Sequence, residues 1–172
     1  MRQNSIVFKF IDSPIGDMVL GATGRGCCLA EFVDRGGMEK IKSQTKKRYK
    51  LDLLEGENSQ LDDLEDELRG YFAGTLRAFT VPLDLRGTRF EETVWQKLLS
   101  IPYGHTTTYG EIAKSALRPL AFQAVGRANG RNPLAIVVPC HRVLEKGGGL
   151  CGYGGGVWRK KFLLDLEKQA TS

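Results

Sequence analysis

Apolar and polar positions alternate at the start of the chain and later settle into a helical period. "SIVFKF" (residues 5–10) alternates one for one, which predicts a half-buried strand. "SPIGD" is turn chemistry, and the apolar runs "MVLGA" and "CCLAEFV" flank the turn "TGRG", so two more strands are expected. "MEKIKSQTKKRYK" predicts a surface helix. Its run Lys46-Lys47-Arg48 is either a solvated face or a targeting or phosphate patch. Leu61, Leu64, Leu68, Tyr71 and Phe72 then keep helical spacing with acids between them, and "FTVPLDL" is expected to be extended. These elements predict a small α/β domain over residues 1–85.

From residue 86 the pattern is mostly helical. Thr88 and Glu91 form a capping box, and Phe90, Val94, Trp95 and Leu98 make one apolar stripe that Pro102 ends. Thr108 and Glu111 repeat the box ahead of Ile112, Ala113 and Ala116. Pro119 is placed to open a further helix over 119–130. On that helix Ala121, Ala124, Val125 and Ala128 would face inward and Gln123, Gly126 and Arg127 outward. Two short helices joined by a tight turn predict a helix-turn-helix, or else a plain helical hairpin in a core. "EKGGGLCGYGGG" must be a loop. In the last helix, "VWRKKFLLDLEK", Trp158, Phe162, Leu163 and Leu166 are expected to be buried, with Glu167 on the edge of that stripe.

Charge sharpens the division. Residues 1–85 carry 12 Lys+Arg against 14 Asp+Glu, a net of −2, and residues 86–172 carry 13 against 6, a net of +7. All of the excess positive charge lies in the second half, which points to a polyanionic partner or to a merely solvated basic surface. No apolar stretch approaches membrane-spanning length. "MRQNSIVFKFIDSPIG" has neither a long apolar run nor a small-residue cleavage site, so no secretion signal is expected, and the four cysteines are expected to be reduced in a cytoplasmic protein. Adjacent Cys27 and Cys28, distant Cys140 and Cys151, and only two histidines make poor material for zinc, so no metal is expected.

The candidate chemistry lies in "IVVPCHRV" (136–143), where one of the two histidines directly follows a cysteine. A cysteine reacts as thiolate and needs a cation, a histidine or a helix N-terminus to lower its pKa. A histidine acting as base needs a third group to hold its tautomer, and Glu167 is the candidate.

"PCHRV", with "GRNPLAIVV" before it and "GYGGG" after it, resembles the active-site signature of the O6-alkylguanine-DNA alkyltransferases, the methylated-DNA–protein-cysteine methyltransferases. "YFAG", "PLDLRGTRFEETVWQKLLSIPYG" and "TTTYGEIA" also resemble the family in order and spacing. The resemblance runs from about Gly70 to Glu167 and is loose before it, where only "SPIGDMVLGAT" is familiar.

The resemblance implies a ribonuclease-H-like first domain and a mostly helical second domain, 86–172, that holds the helix-turn-helix and the active site. It implies repair of O6-alkylguanine in duplex DNA by irreversible, single-turnover transfer of the alkyl group to Cys140, with no cofactor. His141 would take the thiol proton through a bound water, and Glu167 would orient His141. The Tyr109 hydroxyl would serve the guanine N3, and the backbone N–H of Gly154 would serve O6. Tyr153 would wall the pocket, and the carbonyls of Cys140 and Val143 would accept from the guanine amino group. Asn132 would hold the cysteine loop. Base flipping would be driven from the minor groove by a monomer, with Thr108, Gln123, Ala124, Gly126 and Arg127 as DNA-contacting positions.

One position departs from the pattern. The family's intercalating arginine falls on Gln123, where "R-A-V-G" reads "Q-A-V-G", and Phe122 or Arg127 are the other candidates for that role. The rival readings are a lesion-sensing binding protein of the alkyltransferase-like type, which would lack the acceptor cysteine, a DNA-binding regulator, and more distantly a cysteine hydrolase.

Overall fold

The computed structural model describes residues 4–150 and 152–172. Cys151 therefore lies outside the described residues. The chain divides into two units, Met1–Arg86 and Gly87–Ser172.

In the first unit, β1 (Ser5–Ile11) and β2 (Met18–Ala22) form an antiparallel hairpin, and β3 (Cys27–Phe32) pairs antiparallel with β2. Helix α1 (Gly37–Tyr49) carries the chain back to β4 (Asp52–Glu55), which lies parallel to β1, so the sheet order is β3-β2-β1-β4. The alternation of β1 sends Ile6 and Phe8 into one cluster with Val19, Cys28, Leu29, Ile41 and Tyr49 under α1. Lys9, of opposite parity, reaches Asp62 (2.7 Å) and Glu65 (2.5 Å) on α2 (Ser59–Phe72). Helix α2 buries Leu61, Leu64, Leu68 and Tyr71, while Phe72 stays half-exposed.

One strand of this unit is not expected from the sequence. β4 has no alternating pattern to announce it, because its side chains are exposed or half-exposed on an edge of the sheet. "FTVPLDL" is extended but makes only one parallel bridge, Leu83 to Cys27, since Pro82 has no N–H to continue a ladder. Gly26 is what lets that segment approach: a Cβ there would stand 2.6 Å from Pro82 O.

In the second unit, α3 (Arg89–Leu99) begins with the full Thr88–Glu91 capping box and buries Val94, Trp95 and Leu98. Trp95 Nε1 donates to Ala128 O (2.9 Å), which ties α3 to α5 (Phe122–Gly130). Between them lie β5 (Thr107–Thr108) and α4 (Tyr109–Ser115). After α5 come a single 3₁₀ turn (Cys140–Arg142), β6 (Val143–Leu144), which pairs parallel with β5, and α6 (Val157–Thr171).

Three expectations for this unit are corrected. The second capping box is only half made: Thr108 Oγ1 accepts from Glu111 N (3.2 Å), but the Glu111 carboxylate turns outward to Lys114 (3.2 Å). The helix expected over 119–130 starts at Phe122, because a tight turn through Leu117 and Arg118 uses Pro119 and Leu120 as connection. On α6 the buried residues are Arg159, Lys160, Leu163 and Glu167, whereas Trp158 is 57% and Phe162 38% exposed and Leu166 is only half-buried. The inward face of α6 is thus a largely charged one, rotated from the apolar stripe, and Glu167 sits in it rather than on its edge. Among the described residues, no helix is long and apolar enough to cross a membrane, and no cluster of His, Cys, Asp and Glu could hold a metal ion.

Candidate active site around Cys140

The segment before Cys140 is an apolar run that forms a buried tight turn. Leu134 to Val138 are all buried, and Ile136 takes a left-handed conformation (φ 74°) that a β-branched residue adopts only under constraint. Asn132 supplies that constraint. Its Oδ1 accepts from Leu134 N (2.9 Å), and its Nδ2 donates one N–H to Val138 O (2.8 Å) and lies 3.3 Å from Leu134 O. The same Nδ2 lies 3.2 Å from Cys140 Sγ. The side chain that closes the strained turn therefore also points an N–H at the sulfur.

Cys140 opens the 3₁₀ turn behind Pro139 and is 6% exposed. Its carbonyl already accepts twice, from Val143 N and from Asn129 Nδ2 (3.3 Å). Asn129 on α5 is buried and was not anticipated: it lies four residues after Val125, on the same face as Ala128, but is polar where an inward stripe is read from apolar residues.

His141 is fully buried, with Nε2 2.8 Å from Glu167 Oε1. With Nε2 facing the carboxylate, Nδ1 is the ring nitrogen on the other side of the imidazole. Burial lowers the His141 pKa below the usual histidine range, outweighing the raising effect of Glu167. Burial alone would raise Glu167, but hydrogen bonds from His141 and Arg142 bring its pKa down to about 2. The result is a neutral imidazole held by an ionised carboxylate.

Arg142 does not face the thiol as its place in the sequence suggests. Its Nε donates to both Glu167 oxygens (3.1 and 3.0 Å), Nη2 to Oε1 (2.8 Å) and Nη1 to Ile101 O (2.7 Å). Gly104 N adds a further bond to Glu167 Oε2 (3.2 Å). Glu167 thus accepts from three residues, and the buried charge is matched.

Lys160, also fully buried, donates to Val143 O (2.6 Å), and its Nζ lies 5.9 Å from the centre of the Tyr109 ring. Sequence reasoning missed it, because a lysine in "RKKF" reads as solvated. Tyr109 is the first residue of α4 and half-buried, and a Cβ at Gly152 would stand 3.2 Å from its hydroxyl. Tyr153 is buried and Gly154 exposed beside it. Asn132 and Val143 bond Cys140 directly, and His141, its neighbour in the chain, bonds Glu167. Thr108 caps α4, while Gln123 and Arg127 are exposed and Ala124 and Gly126 half-buried on α5.

Two family models match the chain. "6-O-methylguanine DNA methyltransferase, ribonuclease-like domain" matches residues 6–85, and "6-O-methylguanine DNA methyltransferase, DNA binding domain" matches residues 89–169. The methylated-DNA–protein-cysteine methyltransferase of Mycobacterium leprae is 47% identical over 160 residues, 93% of this chain and 91% of that protein. Among solved structures, Mycobacterium tuberculosis OGT in complex with DNA superposes with a TM-score of 0.83 at 43% identity, covering 95% of this chain and 94% of that one. The O6-methylguanine-DNA methyltransferase of Pyrococcus kodakaraensis gives 0.67 at 29% identity, covering 94% and 98%.

Proposed function

The chain belongs to the 6-O-methylguanine DNA methyltransferase family, and we propose that Cys140 is the residue on which its alkyl transfer takes place. The activity is that of a methylated-DNA–protein-cysteine methyltransferase, which reverses DNA damage directly by moving the alkyl group to its own cysteine. The observation that carries the assignment is the Asn132 Nδ2 to Cys140 Sγ contact of 3.2 Å, next to the His141–Glu167 pair.

In this reading the substrate is O6-alkylguanine flipped from duplex DNA. His141 takes the thiol proton through a water on its Nδ1 side; burial, with Arg142 adding to it, keeps the imidazole neutral, and Glu167 orients it. Cys140 Sγ forms a bond to the alkyl carbon as the carbon–O6 bond breaks. The electron pair goes to the guanine, which gains one proton to balance the one the thiol lost. Developing charge on the base meets the Tyr109 hydroxyl at N3 and the Gly154 amide at O6. Val143 O, with one lone pair beyond its Lys160 bond, is better placed to accept from the guanine amino group than Cys140 O, which already accepts twice.

The product thioether cannot be displaced again, so each chain reacts once, as a monomer and without a cofactor. Residues 1–85 form the first domain, and residues 86–172 bind the minor groove and react, in the cytoplasm or at the nucleoid. Affinity for duplex should fall by about 0.9 log units per log unit of salt for each phosphate neutralised.

Intact mass after incubation with a duplex holding one O6-methylguanine is the test. One added methyl per chain, mapped to Cys140, is expected. Steady multiple turnover, or duplex binding with no adduct, would refute the assignment in favour of a hydrolase or a lesion-sensing binder.

A further inference from the structure

Three large apolar side chains stand in solvent where α4 turns into α5. Leu117 is 89% exposed, Leu120 90% and Phe122 50%. The turn that presents them is well fastened. Leu117 N–H donates to Lys114 O (3.0 Å) and Arg118 N–H reaches back to Ala113 O (2.9 Å), the pair of bonds that closes a helix through a left-handed residue. That residue is Leu117 itself, at φ 59°. Glycine suits the position, so a leucine there adds strain while its side chain buries almost nothing. The Arg118 guanidinium lies 5.6 Å from the Phe90 ring centre, and Ala121 N–H donates to Arg118 O (2.9 Å). Phe122 then follows as the first residue of α5.

The surroundings and the helix behind the tip identify what it meets. Arg118 within the turn and Lys114 just before it, the latter paired with Glu111 (3.2 Å), are exposed, as is Arg127 further along α5, in the half of the chain with the positive excess. α5 runs from the tip to the reacting loop: Asn129, seven residues after Phe122, holds the Cys140 carbonyl. At 1.5 Å per residue that is about 10 Å. Between them, α5 passes Tyr109, whose ring would lie 4.0 Å from a Cβ on Gly126.

A rigid apolar tip framed by cations, on the helix that positions the cysteine, has the chemistry of a wedge that enters a base stack. We infer that Phe122 fills the space vacated by the flipped nucleotide, with Leu117 and Leu120 against the sugar edges of the groove. Gln123 is secondary. A phenyl ring stacks on either neighbouring base and has no polar group to desolvate, whereas glutamine must strip water from its amide to enter the stack. The inference rests on the proposed function and refines how duplex DNA is opened.

The test compares single-turnover methyl uptake from an O6-methylguanine duplex with reaction of the free base O6-benzylguanine, which needs no flipping. Phe122→Ala is expected to slow the duplex reaction on the order of tenfold and to leave the free-base reaction unchanged. Phe122→Trp should restore the duplex rate, and Gln123→Ala should cost less than Phe122→Ala. 2-Aminopurine beside the lesion should report less unstacking with Phe122→Ala than with the unaltered chain. Equal duplex rates for Phe122→Ala and the unaltered chain, or an equal loss on the free base, overturn the wedge. So does a tip variant that changes only sedimentation, since the surface would then belong to a second copy. If the unaltered chain takes no methyl from either substrate, the proposed function fails, and the wedge with it.

Discussion

Cys28 on β3 and Cys140 in the 3₁₀ turn are both buried thiols, yet what stands beside each sulfur differs. Cys27 and Cys28 sit at the start of β3, where its register with β2 shifts, and the Cys27 backbone bonds the 82–84 segment through Pro82 O and Asp84 N. Burial, with Glu67 and Asp63 adding to it, pushes the Cys27 thiol up to about 11. Burial and Asp84 push Cys28 up further. Both are held as neutral thiols that pack. Cys140 instead follows a turn strained at Ile136, and the side chain that holds the strain offers its sulfur an N–H. Low exposure is common to both regions, so exposure does not separate a packing thiol from a reacting one. The groups aimed at the sulfur do.

The largest effect should come from removing one thiol from each region. Cys140→Ser should abolish methyl uptake, while Cys27→Ser keeps one methyl per chain by intact mass. An adduct on Cys27, Cys28 or Cys151 would break the contrast.

Next is the support behind Cys140. Glu167→Gln leaves Arg142 with an unmatched buried charge and should destabilise the fold by about 3 kcal/mol in chemical denaturation. The pH dependence follows from the lowered pKa values. The carboxylate contributes fully above pH 4.5, and its contribution is lost as pH falls toward about 2. Burial of neutral His141 removes further stability as pH falls below 6.5. Glu167→Gln should flatten the lower window and, by removing the group that raises His141, extend the upper one to lower pH. Combining it with His141→Ala should slow alkyl transfer little more than the worse single change. Fully additive losses would show that the two do not act as a unit.

A smaller effect is expected at Asn132. Asn132→Leu leaves Leu134 N and Val138 O without their partner, at a cost of about 1–3 kcal/mol. It should slow transfer as well as lower stability. Cys28→Ala should lower stability only. If the stability-matched pair lose activity equally, the N–H aimed at the sulfur has no special role.

The smallest is in thiol labelling of the folded chain. Iodoacetamide at pH 8 should modify Cys140 well before Cys27, which stays protonated there. Equal rates would remove the distinction.

Much of this was legible in the sequence because it is local. The Thr88–Glu91 box, the strands around "TGRG" and the Pro-Cys-His-Arg order depend on residues a few positions apart. Glu167 was identifiable as the partner of His141 through the family resemblance, though its place on a buried face was not. Tertiary structure alone decided which face of α6 turns inward. Trp158 and Phe162 made the apolar stripe, but the inward face is Arg159, Lys160, Leu163 and Glu167, where Arg159 and Lys160 donate to the carbonyls of Gly155 and Val143 and Glu167 accepts from His141 and Arg142. A hydrophobic pattern cannot register a face held by buried polar bonds. The same holds for Arg142, which neighbours the thiol in sequence and serves the carboxylate in space, and for Asn129, whose partner is a carbonyl on another element. Those roles rest on distances between segments 11 to 26 residues apart, and only packing sets them.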